Sequence, residues 1–209
     1  MRLPTISCQS RVRLSALLVV ALVGTLLTSC IPSSRRPLLD ESNSAIDESL
    51  LGEWWTIEGD RLEIKREESS KSLVISNGEE ATPFRTASFD KLSIVSVADT
   101  GRRDHPKHEI AKYRLTRDGN LELFPLGERE IAKAIEANEL EGTVVRNPRR
   151  GLFRSEFKRV EIDDSAENVL PFLQQHAEEA FSKRPLLTFY REKPVRERSG
   201  GNPFKLPLK

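Results

Sequence analysis

A chain of 209 residues with 33 Lys and Arg against 32 Asp and Glu carries a formal charge of +1. That even balance excludes general nucleic-acid binding, which needs a basic face. Hydrophobic content of 37% beside 31% charged is polar for a globular chain and fits one modest core with exposed extensions.

The N-terminus announces export. Arg2, Arg11 and Arg13 lead into an apolar run, Leu14–Leu27, broken by Ser15, Gly24 and Thr25 and closed by small residues. These are the charged and apolar regions of a secretory signal. As a helix the run would span roughly 21 Å, short of the roughly 30 Å hydrocarbon core. It is too short for a permanent span. It ends in Leu27-Thr28-Ser29-Cys30, which resembles the bacterial lipobox. The resemblance implies cleavage before Cys30, lipid on that residue, and attachment of the protein to a membrane through it. Removing residues 1–29 takes three basic residues and no acidic ones, so 30 Lys and Arg then face 32 Asp and Glu, a formal charge of −2. The remaining residues suit one domain. Cys8 and Cys30 are the two cysteines, so the mature chain is expected to hold no disulfide. Ile31 follows Cys30, where an Asp would resemble an inner-membrane retention signal. The expected place is therefore the cell envelope, at the outer membrane facing the periplasm.

Residues 31–50 mix Pro, Ser and charge without periodicity and, with Cys30, are expected to form a flexible, lipid-anchored tether (30–50). Such a tether would reach about 60–70 Å when extended. From Leu51 the chain turns rich in β-forming residues. Strands are expected from Leu51, at Arg61–Arg66 and at Lys71–Ser76, the last followed by the hairpin signal Asn77-Gly78. Phe84–Asp90 and Leu92–Ala98 make a further pair, although Ile94 and Val95 are too close for strict alternation. Glu109–Thr116 and Leu121–Leu126 flank Arg117-Asp118-Gly119-Asn120, the clearest hairpin of the chain. Close spacing and local turns predict an antiparallel meander rather than βαβ units.

Two helices are predicted in the C-terminal half, near 128–140 and 166–183. The first has acids in its opening turn and Gly142 as its stop. The second carries an apolar stripe through Val169, Leu170 and Leu173. Pro171 lies inside it if Ser165 is the N-cap, or harmlessly in the first turn if Asn168 is. Thr143–Arg146, Phe157–Ile162 and Leu186–Glu192 read as strands, and residues 194–209 as a disordered tail.

Leu51-Gly52-Glu53-Trp54 is similar to the Gly-x-Trp signature that opens the barrel of lipocalins and other calycins. The resemblance implies a mainly β domain, residues 51–193, whose meander closes into a calycin-like β-barrel. It also implies that Trp54 plugs one end of that barrel and that a late basic residue packs across its indole. Arg191 stands where that residue is expected. The two inserted helices depart from the family's pattern. The whole chain also resembles small bacterial lipoproteins that supply no activity to carry over.

Catalytic chemistry is not legible. His105-Pro106-Lys107-His108 is metal-like in spacing, but the intervening Pro and Lys make it a poor cation site. Arg146, Arg149 and Arg150 form a basic loop able to touch phosphate, yet an exposed turn explains them as well. Asp163-Asp164-Ser165 precedes a helix and reads as capping, and His176 as a helix-surface residue. No catalytic residue, metal site or cofactor is therefore expected. A non-catalytic binding domain for a small apolar ligand is the leading expectation. An interaction module for an envelope protein or surface polymer is the alternative, and a hydrolase with an unrecognised site the least favoured.

Overall fold

The computed structural model describes residues 31–68, 70–99, 107–148 and 156–194. Eleven strands form one mixed sheet: β1 (Ser33–Ser34), β2 (Gly52–Trp55), β3 (Arg61–Arg66), β4 (Leu73–Ser76), β5 (Ala81–Phe89), β6 (Leu92–Asp99), β7 (Lys107–Leu115), β8 (Leu121–Pro125), β9 (Gly142–Arg146), β10 (Phe157–Ile162) and β11 (Leu187–Phe189). Two helices, α1 (Glu128–Glu136) and α2 (Ala166–Gln175), interrupt the later part. Strands β2 to β8 pair consecutively and antiparallel, the meander that the turn spacing predicts. The Asn77-Gly78 signal makes a four-residue turn rather than a two-residue one. Asn77 Oδ1 accepts the amides of Glu79 and Glu80 at 2.9 and 2.8 Å, and Gly78 takes a φ of +93° that a side chain would resist.

The sheet forks at β7. Its first residues, His108 and Glu109, pair with β1, whereas Ala111 to Leu115 pair with β8 on the same edge. Beyond β1 the path continues through a parallel pairing to β10 and an antiparallel one to β9. Beyond β8 lies β11. The ladders therefore do not close into the expected barrel: β2 and β9 end the path, and β8–β11 branch from it. The end of that branch meets β2 at a single bridge, where Trp55 and Tyr190 exchange two backbone N–H···O bonds of 2.8 Å.

The fork gives the central strands two buried faces, and this explains the imperfect alternation. On β6, Ile94 joins a core shared with both helices and β10, while Val95 joins a second core inside the curl of β2 to β8. On β7, Ile110 faces the first core and Tyr113 the second; on β8, Phe124 and Leu121 divide in the same way. To the second core each of eight strands sends one buried side chain. Trp54, Ile64, Leu73 and Phe84 come from β2 to β5; Val95, Tyr113, Leu121 and Phe189 come from β6, β7, β8 and β11. Leu50, from a short 3-10 turn, closes one end of the cluster.

Residues 31–50 are not a tether. Ser33 and Ser34 lie between β7 and β10 in the sheet, and Leu38 and Leu39 are buried in the helical core. Ala45 exchanges backbone and side-chain hydrogen bonds with Thr86 at 2.8 and 2.6 Å. The stretch has no periodicity because it crosses from one core to the other, giving Leu38 and Leu39 to the first and Ile46 and Leu50 to the second. Both helices are shorter than expected. Helix α1 stops where Asn138 takes a φ of +58°, a left-handed C-terminal turn that asparagine tolerates; Gly142 opens β9 instead of ending the helix. Ser165 is the N-cap position of α2, so Pro171 is interior and withholds a ladder hydrogen bond. The helix ends at Gln175, and Ala180 and Phe181 return to Gly127 and Leu126 beside β8. No helix among the described residues is long and apolar enough to cross a membrane.

Candidate functional site

Gly52, Trp54 and Arg191 meet at one end of the second core. Trp54 is fully buried, and its Nε1–H donates to the Leu50 carbonyl at 2.7 Å. The Arg191 guanidinium carbon lies 3.7 Å from the centre of the indole. Its Nη1 donates to the Leu51 carbonyl at 2.9 Å and its Nη2 to the Ser49 carbonyl. Gly52 has a φ of +107°, and a Cβ there would stand 3.3 Å from Arg191 Nη1, so both the backbone angle and the close approach favour glycine. Burial pulls the Arg191 pKa down from its ordinary value, but a guanidinium remains charged in proteins. The arrangement satisfies three backbone carbonyls and one indole N–H, and it fixes the turn at Glu48–Leu50 against the core. Nothing in it is poised for bond making or breaking.

Beside it runs a polar chain that sequence reading missed. The hydroxyl of Tyr113, buried in the second core, donates to Asp47 Oδ2 at 2.8 Å, and Asp47 also caps the short turn through Ser49 N. Burial, reinforced by the Asp47 charge, pushes the phenol up to about 12. Burial acts to raise the Asp47 pKa, but hydrogen bonds from Ser49 and Tyr113 outweigh it and hold the carboxylate below its usual range.

Among the described residues the most buried charge is Glu161 on β10, 2% exposed. Arg35 Nη2 donates to it at 2.9 Å, Lys107 pairs with its other oxygen, and Arg159 approaches at 3.7 Å. Burial again opposes ionisation, yet the hydrogen bonds from Lys107 and Arg35 prevail and lower the pKa. Arg35 also reaches Asp163 at 3.2 Å. The cluster pins the chain just after β1 to β10 and to the start of β7. No spacing signal could reveal it, because its members come from residues 35, 107, 159 and 161.

The other residues singled out from sequence resolve into structural roles or fall outside the described part. Cys30 and the lipobox residues Leu27, Thr28 and Ser29 lie outside it, as do His105, Arg149 and Arg150. Lys107 and His108 are strand residues of β7, and burial lowers the His108 pKa. Among the described residues no group of three or more His, Cys, Asp or Glu could hold a metal ion. Arg146 is held by Glu136 at 2.7 Å and by Glu156. Ser165 is the N-cap residue of α2, but its side chain makes no capping bond. Asp164 accepts the Glu141 and Ser165 amides and the Asn168 side chain at 3.0, 2.8 and 2.8 Å, tying the start of α2 to the residue before β9. His176 packs its ring 4.6 Å from that of Phe172 and lines a shallow cleft of about 220 Å3 between the helices, rimmed by Glu130, Glu139 and Glu179. No protein-family model matches the chain, and no curated protein or solved structure does.

Proposed function

We propose that this chain is a lipid-anchored envelope protein whose domain is a small, filled, calycin-like barrel acting through its outer surface. It docks another envelope component, protein or surface polymer, without catalysis or a cofactor. The observation that carries this reading is the second core, in which one buried side chain from each of eight strands meets in a single cluster. Eight strands around a common centre enclose an interior that side chains can just fill. The Trp55–Tyr190 bridge supports closure of the ring between β11 and β2. The Arg191–Trp54 contact supports the calycin likeness. A filled interior favours work at the surface over the small apolar ligand that the same likeness implies. The polar clusters are consumed in caps and ion pairs, which favours binding over hydrolysis.

The lipobox and the short apolar run before it support the anchor, and Ile31 after Cys30 supports the outer membrane. Mass spectrometry of the membrane-fraction protein tests the reading. The expected product begins at Cys30 and carries acyl chains, and Cys30→Ala should leave an unprocessed precursor. An unmodified Cys30 still joined to Ser29 would overturn it.

A further inference from the structure

Resting on the anchor reading above, we propose that the domain lies directly on the bilayer, oriented by its own N-terminal strand, and does not stand off on a linker. The membrane partner is the lipid headgroup layer that carries the anchor. It is met by the surface where the chain runs into β1, beside the start of β10.

The inference follows from where the lipid would sit. Only Ile31 and Pro32 separate Cys30 from β1. Two residues and their flanking peptide bonds span about 10 Å at full extension. The strand cannot slide to lengthen that leash. Ser33 pairs with Glu161 on one side and Glu109 on the other, so β1 is an inner strand of the sheet. The Arg35 amide donates to the Ile162 carbonyl at 3.0 Å, and its guanidinium is clamped by buried Glu161 and by Asp163. Leu38 and Leu39 then plug into the helical core. Pulling the leash out would break the pairings of β1 with both β7 and β10 and take Arg35 from the buried Glu161 carboxylate, so the lipid holds the folded domain itself.

Carrying the parallel register of β1 and β10 two residues back brings Ile31 level with Arg159, next to exposed Lys158. Two cations therefore flank the point at which the acyl chains would leave, where the headgroup layer is anionic or zwitterionic. Carried across the sheet, the registers put Ile31 level with Ala111, Val95 and Thr86. The β4–β5 turn at Asn77–Glu80 therefore lies beyond the start of β5, about five residues or roughly 17 Å along the strands from the entry point, and should face away.

The test uses the full chain, processed in the cell and reconstituted in vesicles containing spin-labelled headgroup lipid. Once Cys30 is acylated, Lys158→Cys or Glu79→Cys each supplies a unique thiol for a fluorophore. Both positions are exposed, so neither substitution disturbs packing. With about 10 Å of leash, the lipid should quench the reporter at 158 at least roughly threefold more strongly than the one at 79. Inserting a long Gly/Ser linker between Cys30 and Ile31 should abolish the difference. Equal quenching on protein whose Cys30 is acylated would overturn the inference, as would a difference that survives the linker. A mass showing Cys30 without lipid would overturn the anchor reading first, and the inference with it.

Discussion

Replacing Trp54 probes the end of the second core most sharply. The indole is fully buried, so truncation to Ala removes a large apolar group and leaves a void, a cost of about 3–5 kcal/mol. It also strands the Leu50 carbonyl, which accepts the indole N–H at 2.7 Å, adding about 1 kcal/mol. The lost stacking of Arg191 at 3.7 Å contributes about 1 kcal/mol more. That sum is a large part of the roughly 5–15 kcal/mol by which domains are stable, so Trp54→Leu is the more informative variant. It keeps much of the apolar volume and should cost about 2–3 kcal/mol. Arg191→Ala removes bonds to two carbonyls but from a half-exposed side chain, so about 1–2 kcal/mol is expected. Urea unfolding of both single variants and the double variant closes a cycle whose coupling should be about 1 kcal/mol. A Trp54→Ala cost under about 1 kcal/mol, or no coupling to Arg191, would refute the argument.

Leu38→Ala should destabilise the protein by about 2–5 kcal/mol, because residue 38 is buried core and not linker; an unchanged urea midpoint would contradict this. The pKa of Glu161 is lowered on folding, so the stability it supplies is present above its unfolded value of 4.5. That stability is lost as pH falls from there through the depressed folded value. Glu161→Gln should flatten the acid limb of the stability–pH curve, and an unaltered limb would count against the ion cluster. For Tyr113 the sign is opposite. Its folded pKa of about 12 lies above the ordinary value of 10.0, so its contribution is complete below pH 10 and is lost as pH rises through the folded value. Ultraviolet titration should show a tyrosine ionising late, and Tyr113→Phe should remove that step.

Much of the fold was legible, for identifiable reasons. The meander from β2 to β8 follows from turn residues at short intervals, and Asn77, Gly78 and Gly119 sit in the turns their chemistry favours. Trp54 and Arg191, 137 positions apart, could be placed together only through the likeness of Gly52-x-Trp54 to a known signature. What escaped sequence reading was long-range. Strand β1 is two serines long, and neither propensity nor periodicity marks a strand that short. The fork at β7 depends on β1, so the double-faced core behind Ile94 and Val95 read as broken alternation. The Glu161 cluster joins Arg35, just after β1, to residues of β7 and β10, and its charges resemble any solvated surface until the sheet assembles. Helix α2 is shorter than its apolar pattern suggests because the apolar residues after Gln175 pack as a returning loop, and α1 is shorter because Asn138 turns left-handed.

The central claim is that the eight-strand interior is filled and that the protein works from its surface. Titrating the folded Trp55→Phe variant with a fluorescent fatty acid, and following the emission of Trp54, tests it most directly. The account predicts no saturable binding and no change in that emission, because Phe84, Tyr113, Phe189 and their neighbours already occupy the space around the indole. One-to-one saturable binding that shifts or quenches the Trp54 emission would contradict it and return the protein to the class of apolar-ligand carriers.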